Sequence, residues 1–154
     1  MTYEYKTKRR VTFAETDMAG ILHFSNLFRY MEDAEHEFLR SLGLSVHTTI
    51  EDGFVSFPRV SADCQFKNPL RFEDEVEIHV VVREMTNKAI VYDFIFRNAE
   101  KPGDEIARGS MTVICAMKVA SDDRMRSMII PDSISTKIDV APQELLTALG
   151  KNEP

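Results

Sequence analysis

One stretch limits the fold of this chain more than any other. Residues 25–42 carry a single long helical pattern, in a chain whose other periodicities are those of strands. At the helical repeat, Leu27, Phe28, Tyr30, Met31, Ala34, Phe38, Leu39 and Leu42 share an arc of roughly 180°. Arg29, Glu32, Asp33, His36, Glu37 and Arg40 hold the opposite face, where His36 is expected to be solvated. Ser25 or Asn26 is placed to cap the helix start, and Gly43 to end it. So wide an apolar stripe must be covered on several sides, and strands are all the chain offers to cover it.

Those strands read at period two. Residues 3–15 repeat Tyr3, Tyr5, Val11 and Phe13 at even spacing, and residues 16–24 connect them to the helix. Residues 54–66 set Phe54, Val60, Ala62, Cys64 and Phe66 on one face, and residues 75–84 do so with Val76, Ile78, Val80 and Val82. Runs at 88–97 and 105–119 follow, with turns at Thr86-Asn87-Lys88 and Pro102-Gly103-Asp104. Pro142 and Gly150 bracket a short terminal helix. The expectation is an α+β layout: about five antiparallel strands, the last four a sequential meander, wrapped around one helix. One domain over 1–154, with a peripheral tail from about residue 135, suits the length.

Charge narrows the possible partners. The net charge is −6 and the pI near 5.2, which argues against broad nucleic-acid binding. The tight basic cluster Lys6–Arg10 reads as a charged edge strand, although a local site for a polyanion is also open. Cys64 and Cys115 lie in apolar runs and read as two buried thiols rather than a disulfide. No metal-ligand spacing, phosphate loop, dinucleotide fingerprint or nucleophile elbow occurs, so no metal or cofactor is expected. With no apolar run of a membrane span and no signal-peptide core, a cytoplasmic protein is expected.

Glu35 breaks the helix pattern, because it projects between Leu42 and Phe28 inside the apolar arc. A carboxylate there must be paired, hydrogen-bonded or protonated. It is either a structural group meeting a basic partner such as Arg59, or a second carboxylate of a substrate pocket.

The connection before the helix carries the chemistry. In Phe13-Ala-Glu-Thr-Asp17-Met-Ala-Gly20-Ile-Leu-His23-Phe24-Ser25-Asn26, an Asp ends a strand and a Gly follows three residues on. A helix N-terminus comes next, with unpaired N–H groups and partial positive charge. A carboxylate beside such donors can attack a carbonyl or direct water onto it. Alternatively, Asp17 merely forms an Asx-turn.

This stretch, through Gly43, resembles the 4-hydroxybenzoyl-CoA thioesterase-like branch of the hotdog fold. Phe66-Lys-Asn-Pro69-Leu70-Arg-Phe72-Glu-Asp74 and Ile129-Ile130-Pro131 look like later motifs of the same family. The resemblance implies a five-stranded antiparallel sheet wrapped around a long helix, and a homodimer, with a dimer of dimers as a larger form. It also implies hydrolysis of an acyl-CoA thioester, with no cofactor. Asp17 would be nucleophile or general base, Gly20 would let the backbone approach closely, and the N–H near Phe24 would hold the oxyanion. His23 and Asn26 are candidate orienting groups, with a packed, hydrogen-bonded His23 as the alternative. Asn26, Glu35 and Arg59 are the candidate substrate contacts. This chain has Glu15-Thr16-Asp17 where the family often has Asp-Thr-Asp, and Glu35 where many members carry Arg or a small residue. A non-catalytic acyl-CoA-binding or scaffold protein is the alternative. A dehydratase or isomerase ranks lower, since no helix His faces inward.

Overall fold

A computed structural model describes residues 2–150. Strand β1 (Glu4–Arg10) leads through a 3-10 turn at Phe13–Glu15 into helix α1 (Ser25–Ser41). Then come β2 (His47–Ile50), β3 (Gly53–Ser56), β4 (Arg59–Phe66), β5 (Glu75–Met85), β6 (Ala89–Asn98), β7 (Glu105–Ile114), β8 (Ala116–Val119) and β9 (Arg126–Ser127). Short helices α2 (Asp132–Ser135) and α3 (Gln143–Gly150) complete the order. Five strands form one antiparallel sheet in the order β1-β5-β6-β7-β4, which curves around α1 as a hotdog fold. No helix among the described residues is long and apolar enough to cross a membrane.

The alternation read in residues 75–84 places Val76, Ile78, Val80 and Val82 against α1, each at most 1% exposed. On β6, Ile90, Tyr92, Phe94 and Phe96 do the same. Phe38 of α1 meets Tyr92 edge-on, with ring centroids 6.2 Å apart. The helix packs tightly on Gly109 of β7, where an added Cβ would lie 2.6 Å from Met31 Sδ. It ends as expected at Gly43, whose N–H donates to the Arg40 carbonyl while that of Leu44 donates to Leu39.

Several expectations need correction. The last four strands are not a sequential meander, because β4 lies beside β7 and the chain crosses the sheet end to reach β5. The runs at 54–66 and 105–119 are not continuous strands. Each changes sheets at one level, the first at Phe57-Pro58 and the second at Cys115, where the Ile114 N–H donates to the Pro58 carbonyl. Their outer halves join β2 and β9 in a second sheet, β2-β3-β8-β9, that periodicity did not reveal. The first strand stops at Arg10, and Phe13 is 75% exposed rather than on a buried face. Of the two free thiols Cys115 is buried, but Cys64 is only partly so.

β1 lies at the sheet edge, and its outward bases pair across the ladder: Lys6 with Glu77, and both Lys8 and Arg10 with Glu75. The basic run is therefore neutralised in place. In the tail, Ile138 and Ala141 are buried, and Leu145, Leu146 and Leu149 of α3 pack on Val81 and Ile95 of the outer sheet face.

Gly109→Ala should cost about 1 kcal/mol, the low end of the overpacking range, because the nearest atom is the movable end of Met31. Denaturant unfolding measures it. Combining it with Met31→Ala should cost less than the sum of the two, because both changes act on one contact.

Candidate active site

The connection between β1 and α1 is a narrow hairpin. Thr16 bridges Leu22, the His23 N–H donates to the Glu15 carbonyl at 2.8 Å, and the Asp17 N–H donates to Ile21 at 2.9 Å. Leu22 is buried, and its N–H donates to the Leu70 carbonyl at 2.7 Å, which anchors the hairpin to the segment before β5. Gly20 turns the tip at φ +77°, a backbone conformation that side-chain-bearing residues rarely adopt. A Cβ there would meet nothing nearer than the Arg71 side chain at 4.0 Å. Gly20 therefore makes the turn, and its flank is open within this chain.

Asp17 is half-buried in this hairpin. Its Oδ1 accepts the Ala19 N–H at 2.8 Å, which makes an Asx-turn, and its Oδ2 has no bond among the described residues. α1 starts directly after the hairpin. Neither Ser25 nor Asn26 caps it: the Ser25 hydroxyl bonds His23 Nδ1 at 2.8 Å, and the Asn26 amide donates to the Glu15 carbonyl at 2.9 Å. Both side chains are spent on the hairpin. The Phe24 N–H, at the edge of the helix, takes no acceptor among the described residues. The His23 ring stacks on Phe24 at 4.7 Å, and Phe24 meets Phe66 of β4 edge-on at 5.9 Å. Phe13 and Phe72 form a second exposed pair nearby in the chain, at 5.8 Å.

Thus Asp17, Gly20, His23 and Phe24 share one loop, with Asn26 in the first turn of α1 bonded to it, while Glu35 and Arg59 stand apart. Glu35 stands ten residue steps along the helix from Ser25, about 15 Å along the axis. Glu35 is fully buried, and its Oε2 is held by Arg59 from the start of β4. The same guanidinium meets Glu32 at 3.6 Å, His36 Nε2 at 3.3 Å and the Phe57 carbonyl at 3.2 Å. His36 is consequently half-buried rather than a free surface group, and burial, with Arg59 adding, holds its pKa below the ordinary value. Glu35 Oε1 is buried with no partner among the described residues. Burial pushes the Glu35 pKa up to about 7; Arg59 opposes the rise and Glu32 adds to it.

Sequence reasoning missed Arg9 and Tyr30, which hold the Glu15 carboxylate at 2.8 and 2.6 Å. The signal was there in part: Glu15 stands three residues after Thr12, the capping-box spacing, and its carboxylate accepts the Thr12 N–H at 2.9 Å.

A folded pKa near 7 for Glu35 means the native state retains a proton that the unfolded chain releases at about pH 4.3. The Glu35 contribution to stability therefore falls as pH rises through that window. Glu35→Gln abolishes this titration, so its stability relative to the wild type should rise from pH 5 to pH 8. The gain should be on the order of 3 kcal/mol, read by urea unfolding at each pH. A constant difference would mean that Glu35 is ionised throughout.

Comparison with known proteins follows the same outline. A family model described as the thioesterase-like superfamily matches residues 11–148. A solved gentisyl-coenzyme A thioesterase superposes with a TM-score of 0.74 at 32% identity, covering 88% of this chain and 100% of that one. The 4-hydroxybenzoyl-CoA thioesterase of Pseudomonas sp. (strain CBS-3) is 26% identical over 128 residues, 80% of this chain and 89% of the relative. A 1,4-dihydroxy-2-naphthoyl-CoA hydrolase of Thermosynechococcus vestitus is 25% identical over 137 residues, 89% of this chain and 90% of its own. The hairpin and the helix behind it fall inside the matched span, and the chain belongs to the thioesterase-like superfamily.

Proposed function

We propose that this protein hydrolyses an acyl-CoA thioester to the free acid and CoA, with Asp17 as the reacting carboxylate. The observation that carries this reading is the pairing of a half-buried carboxylate, one oxygen unengaged, with a helix N-terminus whose Phe24 N–H has no acceptor among the described residues. Membership of the superfamily and relatives named as CoA-thioester hydrolases support it.

Two routes fit the same atoms. In one, Asp17 attacks the thioester carbonyl, the C–S bond breaks with release of the CoA thiolate, and water hydrolyses the resulting anhydride. In the other, Asp17 takes a proton from a water that attacks directly. Both build negative charge on the carbonyl oxygen, and the Phe24 N–H with the helix dipole would stabilise it. A donor of that kind is worth about 3–4 kcal/mol where measured. A thiolate leaves readily, so no strong general acid is needed. The His23 ring, stacked on Phe24 and bonded to Ser25, would steady that donor.

The relatives act on hydroxylated aromatic acyl-CoAs, which makes that class the first to test. Asp17→Asn should lower kcat roughly 10³-fold or more, with substrate binding kept, because it removes charge and little volume. Thiol release from a panel of acyl-CoAs reads this directly. Near-wild-type turnover by the variant would remove Asp17 from the mechanism. Binding without turnover by the wild type would instead identify a non-catalytic acyl-CoA-binding protein.

The active form is proposed to be a homodimer joined along β4. That strand is a sheet edge, and Val60 and Phe66 on it are 56% and 53% exposed, an apolar row beside unpaired backbone groups. Sedimentation should show at least a dimer, and Ala62→Lys should shift it toward monomer with loss of turnover. A fully active monomer would contradict this assembly.

A further inference from the structure

We propose that Glu15 is a positioning residue for the active-site hairpin: through Arg9 and Tyr30 it fastens the segment bearing Asp17 to both β1 and α1. The proposal rests on the reading of Asp17 as the reacting carboxylate.

Five donors converge on Glu15. On its side chain, Oε1 accepts from Arg9 Nη2 at 2.8 Å, while Oε2 accepts the Tyr30 hydroxyl at 2.6 Å and the Thr12 N–H at 2.9 Å. On its backbone, the carbonyl accepts the His23 N–H at 2.8 Å and the Asn26 amide at 2.9 Å. These donors come from the first strand, the turn, the far side of the hairpin and two positions on the helix. Arg9 is itself held in place, lying over the Tyr30 ring at 4.3 Å and bonding Asp33 of α1. Tyr30 is fully buried, so its hydroxyl is a fixed reference point.

Beyond Glu15 the hairpin is closed by its own hydrogen bonds, from Thr16–Leu22 to the Gly20 turn. A narrow, self-bonded tip moves as one piece with its base. Displacing Glu15 would carry Asp17 with it, and a shift of about 1 Å at a reacting group can cost on the order of 10²-fold in rate. Burial opposes ionisation of Glu15, but the bonds from Tyr30, Thr12 and Arg9 outweigh it and hold its pKa below the ordinary value. The carboxylate therefore keeps both oxygens as acceptors at neutral pH. A glutamine of the same shape offers one acceptor and turns its amide donors toward Arg9 or Tyr30.

The test uses the full-length protein with 4-hydroxybenzoyl-CoA, or whichever panel substrate the wild type turns over best. Glu15→Gln should lower kcat about 10- to 100-fold while KM stays within about threefold. Glu15→Asp, which keeps two carboxylate oxygens, should recover part of that loss. Tyr30→Phe, which deletes one hydroxyl, should give a smaller kcat loss of about three- to tenfold, and it serves if Glu15→Gln does not fold. In an Asp17→Asn background, Glu15→Gln should change the residual rate by less than about twofold, because the residue it positions no longer reacts.

Unchanged kcat in both Glu15→Gln and Tyr30→Phe would overturn the proposal. So would losses that multiply independently of Asp17, or a kcat loss that merely tracks the folded fraction. Full turnover in Asp17→Asn alone would overturn the Asp17 reading and this one with it. Loss in Asp17→Asn beside intact Glu15→Gln and Tyr30→Phe would overturn only the positioning role.

Discussion

The close seating of α1 on the sheet is the contact on which the rest depends. A helix apolar over half its girth cannot lie on a flat surface and bury that arc, so the sheet must curve around it. At Gly109 of β7 the end of the Met31 side chain sits where a Cβ would be, so the helix side chain packs directly on the strand backbone. Val76 to Val82 and Ile90 to Phe96 complete the wall, and Phe38 reaches across to Tyr92. With the helix held so, its N-terminus becomes a fixed point at one end of the sheet.

The candidate site is built out from that point. The hairpin of residues 15–23 is bonded to itself, to the segment at Leu70 and to the helix through Asn26. A loop with this many internal bonds has little conformational freedom left to lose, so the side chains it carries are held in place in advance. Its glycine contributes a backbone angle, and its histidine is engaged with the first turn of the helix. The apolar surface around it, Phe13, Phe24, Phe66 and Phe72, is more exposed than a finished fold usually leaves aromatic residues.

Three carboxylates near α1 show how surroundings set the behaviour of one functional group. Glu15 receives three donors and is held ionised. Glu35 receives one guanidinium on one oxygen and none on the other, and burial lifts it toward neutrality. Asp17 keeps one oxygen for the turn and leaves one unengaged. Glu35 and Asp17 thus each keep one oxygen unengaged, but Glu35 is sealed in the core whereas Asp17 is half-exposed.

The sequence by itself determined the elements whose signals are local. The apolar arc of α1 and its end at Gly43, the inward face of residues 75–84 and the Thr86–Lys88 turn all follow from neighbours within one or two turns of chain. The turn at Gly20 and the helix start just after Phe24 were legible for the same reason, since their signals are short in range. Tertiary structure decided what depends on groups far apart in sequence. It placed β4 beside β7 instead of β5, because strand order follows pairing across the sheet and not order along the chain. It split two apolar runs between two sheets at Pro58 and Cys115, where Pro58 can offer the ladder its carbonyl but no N–H. It exposed Phe13, drew His36 against Arg59 and turned Asn26 back onto Glu15. Periodicity reports which side of an element is apolar. Which neighbour a side chain meets there is set by packing, and only the folded chain brings Arg9, Glu15 and Tyr30 together.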